Sequence, residues 1–301
     1  MTAPQASRTT TMAVVTRRPG VRPATRRRRG PRPLLSIITV LFGALWIFPI
    51  SWMINSSLQT DEELYGSGLL FFPVSFETSS YLTVLQDGSF WSAMGMSATV
   101  TALAVGVSVL SAIVAAAAVS RFRFRSKGAV IVTILVIQMI PAEAMFLSQY
   151  RMMDSWSLIN SALGLALLYA GHSIPITIWM LKGFIDGIPY DLEEAGQVDG
   201  LSRFGAFTRV TLPLLLPGLV ASGIFAFLSA WNEYTLALVI MKDNAAATLP
   251  LWLQRFNVSY EATDWGGIMA GSALIAISVI IVFLIVQGRM ATGLVGGAVK
   301  G

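Results

Sequence analysis

Long apolar segments recur along this chain and constrain its fold more than any other feature. A helix that crosses the hydrocarbon core of a bilayer needs about 20 apolar residues, because each residue adds about 1.5 Å. Six stretches of the 301-residue sequence are long enough, at about residues 34–54, 90–119, 129–149, 158–181, 213–241 and 266–286. The sequence therefore predicts an all-α polytopic membrane protein with six transmembrane helices.

Composition argues against a water-soluble enzyme. Hydrophobic residues make up 54% of the chain and charged residues 12%, whereas soluble domains carry about 25% charged residues. So apolar a chain has too few polar side chains to cover a surface that faces water. Cysteine is absent and His172 is the single histidine. Disulfides, thiolate metal sites and multi-histidine metal sites are therefore excluded.

Lysine and arginine predict the orientation of the spans. Residues 1–32 hold nine arginines and no acid, a composition typical of a disordered tail. With this tail in the cytoplasm, 18 of the 21 basic residues fall on the cytoplasmic side, as the positive-inside rule requires. The sequence predicts a cytoplasmic tail over residues 1–33, a membrane domain over residues 34–301 and two cytoplasmic termini. The rest of the chain is net acidic, so no nucleic-acid partner is expected.

One long polar segment, at about residues 183–212, is predicted to lie in the cytoplasm and to form two short helices. Asp191 is expected to cap the first helix, with Glu194 completing a capping box, and Gly200 is expected to end it. Ser202 is expected to cap the second helix. Three apolar residues share one face of that helix and suit docking to another protein: Phe204, Phe207 and Val210.

No hydrolytic motif accompanies these features. None of the four lysines precedes Ser or Thr, so a phosphate-binding loop ending in G-K-[ST] is absent. The patterns H-E-x-x-H and G-x-S-x-G are absent as well. Glu143 and Glu233 are the acids predicted within the spans, where an ionised carboxylate costs at least about 2.5 kcal/mol. Each is either structural or part of a transport path. His172 is expected to be a core residue.

The cytoplasmic segment resembles a family pattern. Glu194–Gly196 is followed by Gly200 after three residues and by Val210–Pro213 after nine more. This resembles the EAA loop of ABC-importer permeases, E-A-A, three residues, G, nine residues and I-x-L-P. Gly196 replaces the second alanine and Val210 replaces isoleucine. The resemblance implies a coupling helix that contacts a separate ATPase and transmits its motion to the spans. The residues implied in this coupling are Glu194, Ala195, Gly196, Asp199 and Gly200.

Two further runs narrow the resemblance to sugar permeases. Phe227–Tyr234 is similar to the run F-x-x-x-W-N-E/D-Y/F, and Gly296–Gly301 is similar to the end of the second permease of carbohydrate importers. The match covers about residues 34–301 and implies the type I ABC-importer permease fold. The resemblance also implies a candidate substrate path, formed by Trp231, Asn232, Glu233 and Tyr234.

The resemblance implies a complex in the plasma membrane of a bacterium. The expected partners are a second, different permease, two ATPase subunits and an external solute-binding protein or lipoprotein. The external segment Lys242–Trp265 would contact the binding protein, and its rings Trp252, Tyr260 and Trp265 suit a docking loop or the membrane interface. ATP and magnesium would be held by the ATPase, with no cofactor in this chain. The expected function is import of a sugar or oligosaccharide by alternating access.

A self-contained, proton-coupled secondary transporter is the alternative. Glu233 or Glu143 would then carry protons, which would explain acids within apolar spans. The alternative gives the EAA spacing no purpose. The two functions differ in their energy source, since collapse of the proton gradient at constant ATP stops only the secondary transporter.

Overall fold

A computed structural model describes residues 33–66, 75–256 and 263–298. Residues 1–32, which form most of the predicted tail, and residues 299–301, at the end of the Gly296–Gly301 run, lie outside these ranges. The described residues are helical and contain no strand, which confirms the all-α prediction. The helices are α1 Pro33–Ser56, α2 Asp61–Tyr65, α3 Ser79–Gln86, α4 Gly88–Arg121, α5 Lys127–Ile137, α6 Phe146–Ser155, α7 Ala162–Asp186, α8 Asp191–Val198, α9 Arg203–Ala206, α10 Leu212–Trp231, α11 Thr235–Ile240, α12 Leu249–Leu253 and α13 Trp265–Ala298.

Among the described residues, five helices are long and apolar enough to cross a membrane. They cover Ser36–Ser56, Gly88–Arg121, Ala162–Asp186, Arg203–Trp231 and Trp265–Gly288. A bent pair of helices, α5 and α6, supplies a sixth crossing if it is counted as one span. With the bent pair counted as one span, the number of apolar crossings agrees with the predicted six, although two of the crossings differ in form.

The third predicted span, at residues 129–149, is wrong as a straight helix. Its chain direction turns by 91° between α5, which ends at Ile137, and a 3₁₀ turn at Ala142–Met145 that leads into α6. Pro141 explains the break, because proline has no N–H to donate and disfavours helical geometry in the residue before it. Glu143 lies in this turn and is exposed.

The fifth predicted span, at residues 213–241, is wrong at both ends. Its helix already begins at Arg203, passes through a π-helical turn at Phe207–Thr211 and ends at Trp231. The second short cytoplasmic helix is therefore the first part of this span. At the other end the Asn232 side chain donates to the Leu228 carbonyl at 2.8 Å, and the chain leaves the helix. Glu233 lies in the break before α11.

The chain divides into two compact units, Met1–Phe48 and Pro49–Gly301. The part of α1 that belongs to the first unit exposes large apolar side chains, with Trp46 at 76%. Such a helix suits lipid or protein surroundings rather than water. The residues of interest for function lie in the second unit.

Helices α4, α7 and α10 form the packed centre of the second unit. Small residues recur every four positions on one face of α4, and Ala112 and Ala116 pack with Ile178 and Leu181 of α7. Small side chains let two backbones approach closely in a membrane protein. On α10, Gly218 serves the same purpose: a Cβ at this position would lie 2.5 Å from the Cγ atom of Phe184 on α7.

The segment after α11 folds back onto the start of α4. Trp252 on α12 is fully buried, and its Nε1 donates to the Ser89 hydroxyl at 2.8 Å. Ser89 in turn donates to the carboxylate of Asp87 at 2.5 Å, and this bond lowers the pKa of Asp87. The prediction that Trp252 lies at an interface or docking surface is therefore wrong. Trp265 is exposed, and Tyr260 lies outside the described residues.

Candidate functional site

Helix α8 carries most of the predicted coupling residues, but it begins without the predicted cap. Tyr190 occupies the N-cap position with helical backbone angles and makes no capping bond, and Asp191 is already helical. The first-turn N–H groups donate instead to the carbonyls of Pro189 and Tyr190, at distances of 2.9–3.3 Å from Leu192, Glu193 and Glu194. Since those carbonyls take the free donors, the predicted capping box between Asp191 and Glu194 is wrong.

The end of α8 is formed as the sequence predicts. Gly200 has φ +92°, a left-handed conformation that costs glycine little and other residues more. The N–H of Leu201 donates to the Gly196 carbonyl, and the N–H of Gly200 donates to the Gln197 carbonyl, each at 3.0 Å. This pair of bonds is the Schellman arrangement that ends many helices. The prediction that Gly200 ends α8 is confirmed.

The helix that follows is capped by Ser202, as predicted, since its hydroxyl accepts from the Gly205 N–H at 3.0 Å. Its predicted apolar face is divided between two environments. Val210 lies against α8, where a Cβ on Gly196 would be 3.3 Å from the Val210 Cγ2 atom. Phe204 points outward with 78% of its surface exposed. The prediction that Phe204, Phe207 and Val210 form one docking face is therefore wrong.

The predicted coupling residues fall mostly on the outer surface of α8. Glu194, Ala195, Asp199 and Gly200 are exposed, whereas Gly196 is buried against the next helix. Two apolar residues that sequence reasoning missed lie on the same short helix: Leu192 is 43% exposed and Val198 is 88% exposed. Apolar residues within an otherwise polar segment could have predicted a contact surface here. Together these residues form an acidic and apolar surface available to a partner.

A second set that sequence reasoning missed lies on the inner side of α8. Glu193 is 5% exposed, and its Oε1 atom is 2.6 Å from the Nε atom of Arg121 at the end of α4. The Thr211 hydroxyl donates to the same carboxylate oxygen at 2.6 Å. No sequence pattern marks Glu193 as a buried partner of Arg121, so only the three-dimensional arrangement identifies it. We call these three residues the Arg121–Glu193–Thr211 cluster.

The run Trp231–Tyr234 does not converge on one surface. Trp231 is buried in a core cluster and stacks on Phe227 with ring centroids 5.4 Å apart. Asn232 is exposed, and Tyr234 is partly buried. The Glu233 carboxylate accepts from the N–H groups of Leu236 at 2.8 Å and of Ala237 at 3.2 Å. Glu233 therefore caps the first turn of α11, where a carboxylate is favoured.

The cavity beside Glu233 is small. It measures about 50 Å³ and is lined by Tyr169, His172 and Glu233 among others. Since a water molecule takes about 30 Å³ in the liquid, this space does not hold a sugar ring. The expectation that His172 lies in the core is wrong, because His172 is exposed and a cavity of about 310 Å³ opens beside it between α5, α6 and α7.

The described residues offer no group of three or more His, Asp or Glu side chains that could hold a metal ion. Glu143 lies exposed in a turn and Glu233 acts as a helix cap. Glu233 shares its small cavity with two other titratable side chains, Tyr169 and His172, and the Tyr169 hydroxyl donates to the Glu233 backbone carbonyl at 3.3 Å. The arrangement offers a protein-contact surface on α8 and no assembled catalytic centre within the described ranges.

The chain belongs to the family of binding-protein-dependent transport system inner membrane components, whose sequence profile matches residues 107–294. It is 36% identical over 273 residues to the diacetylchitobiose uptake system permease protein DasC of Streptomyces coelicolor, covering 87% of this chain and 99% of DasC. It is 30% identical to the trehalose/maltose transport system permease protein MalG of Thermococcus litoralis, covering 90% of this chain and 97% of MalG. These findings confirm the family resemblance.

The fold agrees with that of a solved importer. A chain of a bacterial ABC transporter involved in the import of the acidic polysaccharide alginate matches with a TM-score of 0.72 and 22% identity, covering 85% of this chain and 95% of that chain. The importer permease fold is thereby confirmed. The chain is a multi-pass membrane component of a transport system rather than an enzyme, and the secondary-transporter alternative is not favoured.

Proposed function

We propose that this chain is one of two different permease subunits of an ATP-driven importer for a sugar or oligosaccharide. The exposed surface of α8 carries this proposal, because it presents Glu194, Ala195, Asp199 and Gly200 to a partner beside the packed ends of the spans. The substrate class is supported by the names of three relatives: a diacetylchitobiose uptake system, a trehalose/maltose transport system and a trehalose transport system. The last is SugB of Mycobacterium tuberculosis, which is 32% identical.

The proposed complex contains this chain, a second permease, two copies of an ATPase and an external solute-binding protein. A chain of similar fold, with a TM-score of 0.61 and 16% identity, comes from a bacterial alginate ABC transporter in complex with an alginate pentasaccharide-bound periplasmic protein. ATP and magnesium are bound by the ATPase subunits. In the bacterial plasma membrane, both termini and α8 face the cytoplasm, in keeping with the distribution of basic residues.

In this mechanism, the chain converts a movement of the ATPase into a movement of its spans. Closure of the ATPase dimer on ATP displaces α8, and the ends of α4 and α10 follow. The cavity between the two permeases opens outward to receive the sugar from the binding protein. Hydrolysis then resets the inward-open state. The residues of this chain supply contact and transmission, whereas bond cleavage takes place in the ATPase.

The candidate substrate path Trp231–Tyr234 stays a prediction. Trp231 is buried and Glu233 uses both carboxylate oxygens to cap α11. Asn232 and Tyr234 keep side-chain surface available. A sugar that passed this break would therefore meet Asn232 and Tyr234 first. The second permease would supply the remaining contacts to the sugar.

Reversing the charge of Glu194 tests the coupling surface. We expect Glu194→Arg to leave the assembled protein in the membrane and to lower ATP-driven uptake about tenfold or more, because the contact with the ATPase is lost. Uptake of labelled diacetylchitobiose, trehalose and maltose by membrane vesicles measures the effect. Asp154→Arg is the control, since Asp154 is an exposed acid on α6, remote in sequence from α8. Uptake by Glu194→Arg at the parental rate would contradict the assignment.

A further inference from the structure

The cytoplasmic ends of α4, α8 and the α10 span meet at a single carboxylate. Glu193 comes from α8, Arg121 is the last residue of α4 and Thr211 lies in the π-helical turn that leads into α10. Both partners contact the same oxygen of Glu193, each at 2.6 Å. One buried charge thus connects the coupling helix to two of the three helices that form the packed centre.

Arg121 is fixed by contacts on the other side of its guanidinium group. Its Nη2 atom donates to the carbonyl of Ile188 at 3.1 Å, in the connection between α7 and α8. The same group lies 5.8 Å from the ring centroid of Tyr190. Arginine suits this position because its planar group can donate in several directions and stack on an aromatic ring at once. The cluster therefore also holds the chain that enters α8.

Stability alone is a weak explanation for this ion pair. The side chains of Arg121 and Glu193 are 11% and 6% exposed, and removing two charges from water costs about as much as their attraction returns. The ion pair between Lys182 and Asp186 differs, because it joins two residues of one helix at its surface. What Arg121 and Glu193 supply is a fixed geometry between separate helices.

The placement of Glu193 links this geometry to the coupling surface. Successive residues of a helix point about 100° apart, so Glu194 faces outward while Glu193 faces the spans. A partner that pushes on Glu194 therefore acts on the residue next to Glu193, which contacts the spans. Gly196, one turn further, brings α8 against Val210 without an intervening side chain. The residues that face a partner and the residues that contact the spans thus lie within a single turn of α8.

We infer that the Arg121–Glu193–Thr211 cluster fixes α8 to the ends of α4 and α10, so that the coupling helix and both spans move as one body. The inference rests on the proposed function and goes beyond it, because it identifies how the movement leaves α8. In this role Arg121, Glu193 and Thr211 are positioning residues, which hold α8 against the ends of the two spans. Without the cluster, α8 would follow the ATPase while the spans lag behind.

Distance measurements in the complete complex test this directly. The chain contains no cysteine, so Arg123→Cys and Asp191→Cys, both exposed positions, place spin labels beside α4 and on α8. With the cluster intact, we expect the same distance between the two labels without nucleotide and with ADP and vanadate. In Glu193→Gln, which keeps the side-chain volume and removes the charge, we expect a distance that changes with nucleotide and a distribution about twofold broader.

The controls separate geometry from general loss of structure. Lys182→Gln breaks the surface ion pair on α7 and should leave the distance as in the parent. Thr211→Val removes one hydrogen bond at constant volume, and an intermediate broadening is expected; this variant also serves if Glu193→Gln does not assemble. The inference would be overturned if an assembled Glu193→Gln complex gave a label-distance distribution as narrow as that of the parent and equally independent of nucleotide.

A functional readout distinguishes transmission from a merely structural role. In Glu193→Gln complexes that contain all subunits, we expect sugar taken up per ATP hydrolysed to fall about tenfold, whereas a structural role would reduce only the amount of complex. Diacetylchitobiose, trehalose and maltose are the probes. An unchanged ratio would also overturn the inference. If the parent complex itself shows no ATP-dependent uptake, the proposed function fails, independently of the cluster.

Discussion

Neighbouring residues on α8 have opposite surroundings although the sequence gives them the same chemistry. Glu193 is buried against Arg121, while Glu194 is exposed. The sequence pattern around Glu194–Gly196 and Gly200 was sufficient to predict a short helix and its end at Gly200; its coupling role stays a prediction. The pattern was not sufficient to predict Glu193, because burial depends on Arg121, which lies 72 residues earlier in the chain. A local sequence pattern predicts local structure such as a helix end, but it does not identify a contact with a residue far away in the sequence.

The capping residues show that even a local motif predicts only part of the structure around it. Ser202 caps its helix and Gly200 ends α8, as their local geometry predicts. Asp191 does not cap α8, because the carbonyls of Pro189 and Tyr190 already accept the first-turn N–H groups. A capping motif therefore predicts a helix end only where the preceding backbone leaves those donors free.

Substitution of Gly200 has a graded expected effect. With φ at +92°, Gly200→Ala should destabilise the end of α8 by about 1–2 kcal/mol, because a Cβ is disfavoured in this conformation. Gly200→Asn should cost less, since asparagine tolerates the left-handed region. The thermal unfolding midpoint of the purified complex measures the series. Gly183→Ala is the control, as nothing lies within 4 Å of its added Cβ; equal midpoints for all three variants would contradict the expectation.

At the scale of helices, apolar length predicted how many segments are long and apolar enough to cross a membrane, but not their shape. Four predicted spans correspond to single continuous helices, whereas the chain turns by 91° at Pro141 in the third. The fifth ends at Trp231 because Asn232 and Glu233 engage nearby backbone groups. Hydropathy averages over such polar interruptions. It therefore merges α10 and α11 into one segment that the backbone divides.

The packing of α10 on α7 predicts a large difference between two glycines of one helix. A Cβ on Gly218 would lie 2.5 Å from Cγ and 2.9 Å from Cβ of Phe184. Gly218→Ala should therefore separate the helices and destabilise the protein by about 1–3 kcal/mol. On the same helix, a Cβ on Gly223 meets nothing within 4 Å, and Gly223→Ala is the matched control.

Thermal unfolding of the two purified variants in the same detergent makes the comparison. The midpoint of Gly218→Ala should lie below that of the parent, while Gly223→Ala should be unchanged or higher. A lower midpoint for Gly223→Ala alone would show that α10 is constrained on a different face. Equal midpoints for both variants would show that Phe184 moves aside without cost.

At the scale of the whole molecule, exposed apolar side chains on α1 and on the polar helix α8 suit lipid or protein surroundings rather than water. Trp46 on α1 and Val198 on α8 are each more than three quarters exposed. The sequence predicted the apolar helices and the family, because these depend on composition and on motif spacing. It did not predict the division of Trp231–Tyr234 between core, cap and surface, since that depends on how α10 and α11 pack.

The composition of the complex tests the central claim most directly. Tagged protein would be extracted from native membranes in mild detergent and its partners identified and counted by mass spectrometry. We expect one copy of this chain, one copy of a different permease and two copies of an ATPase. Recovery of this chain alone, still active in liposomes without ATP, would contradict the proposed importer and make Glu233 and Glu143 the residues to study.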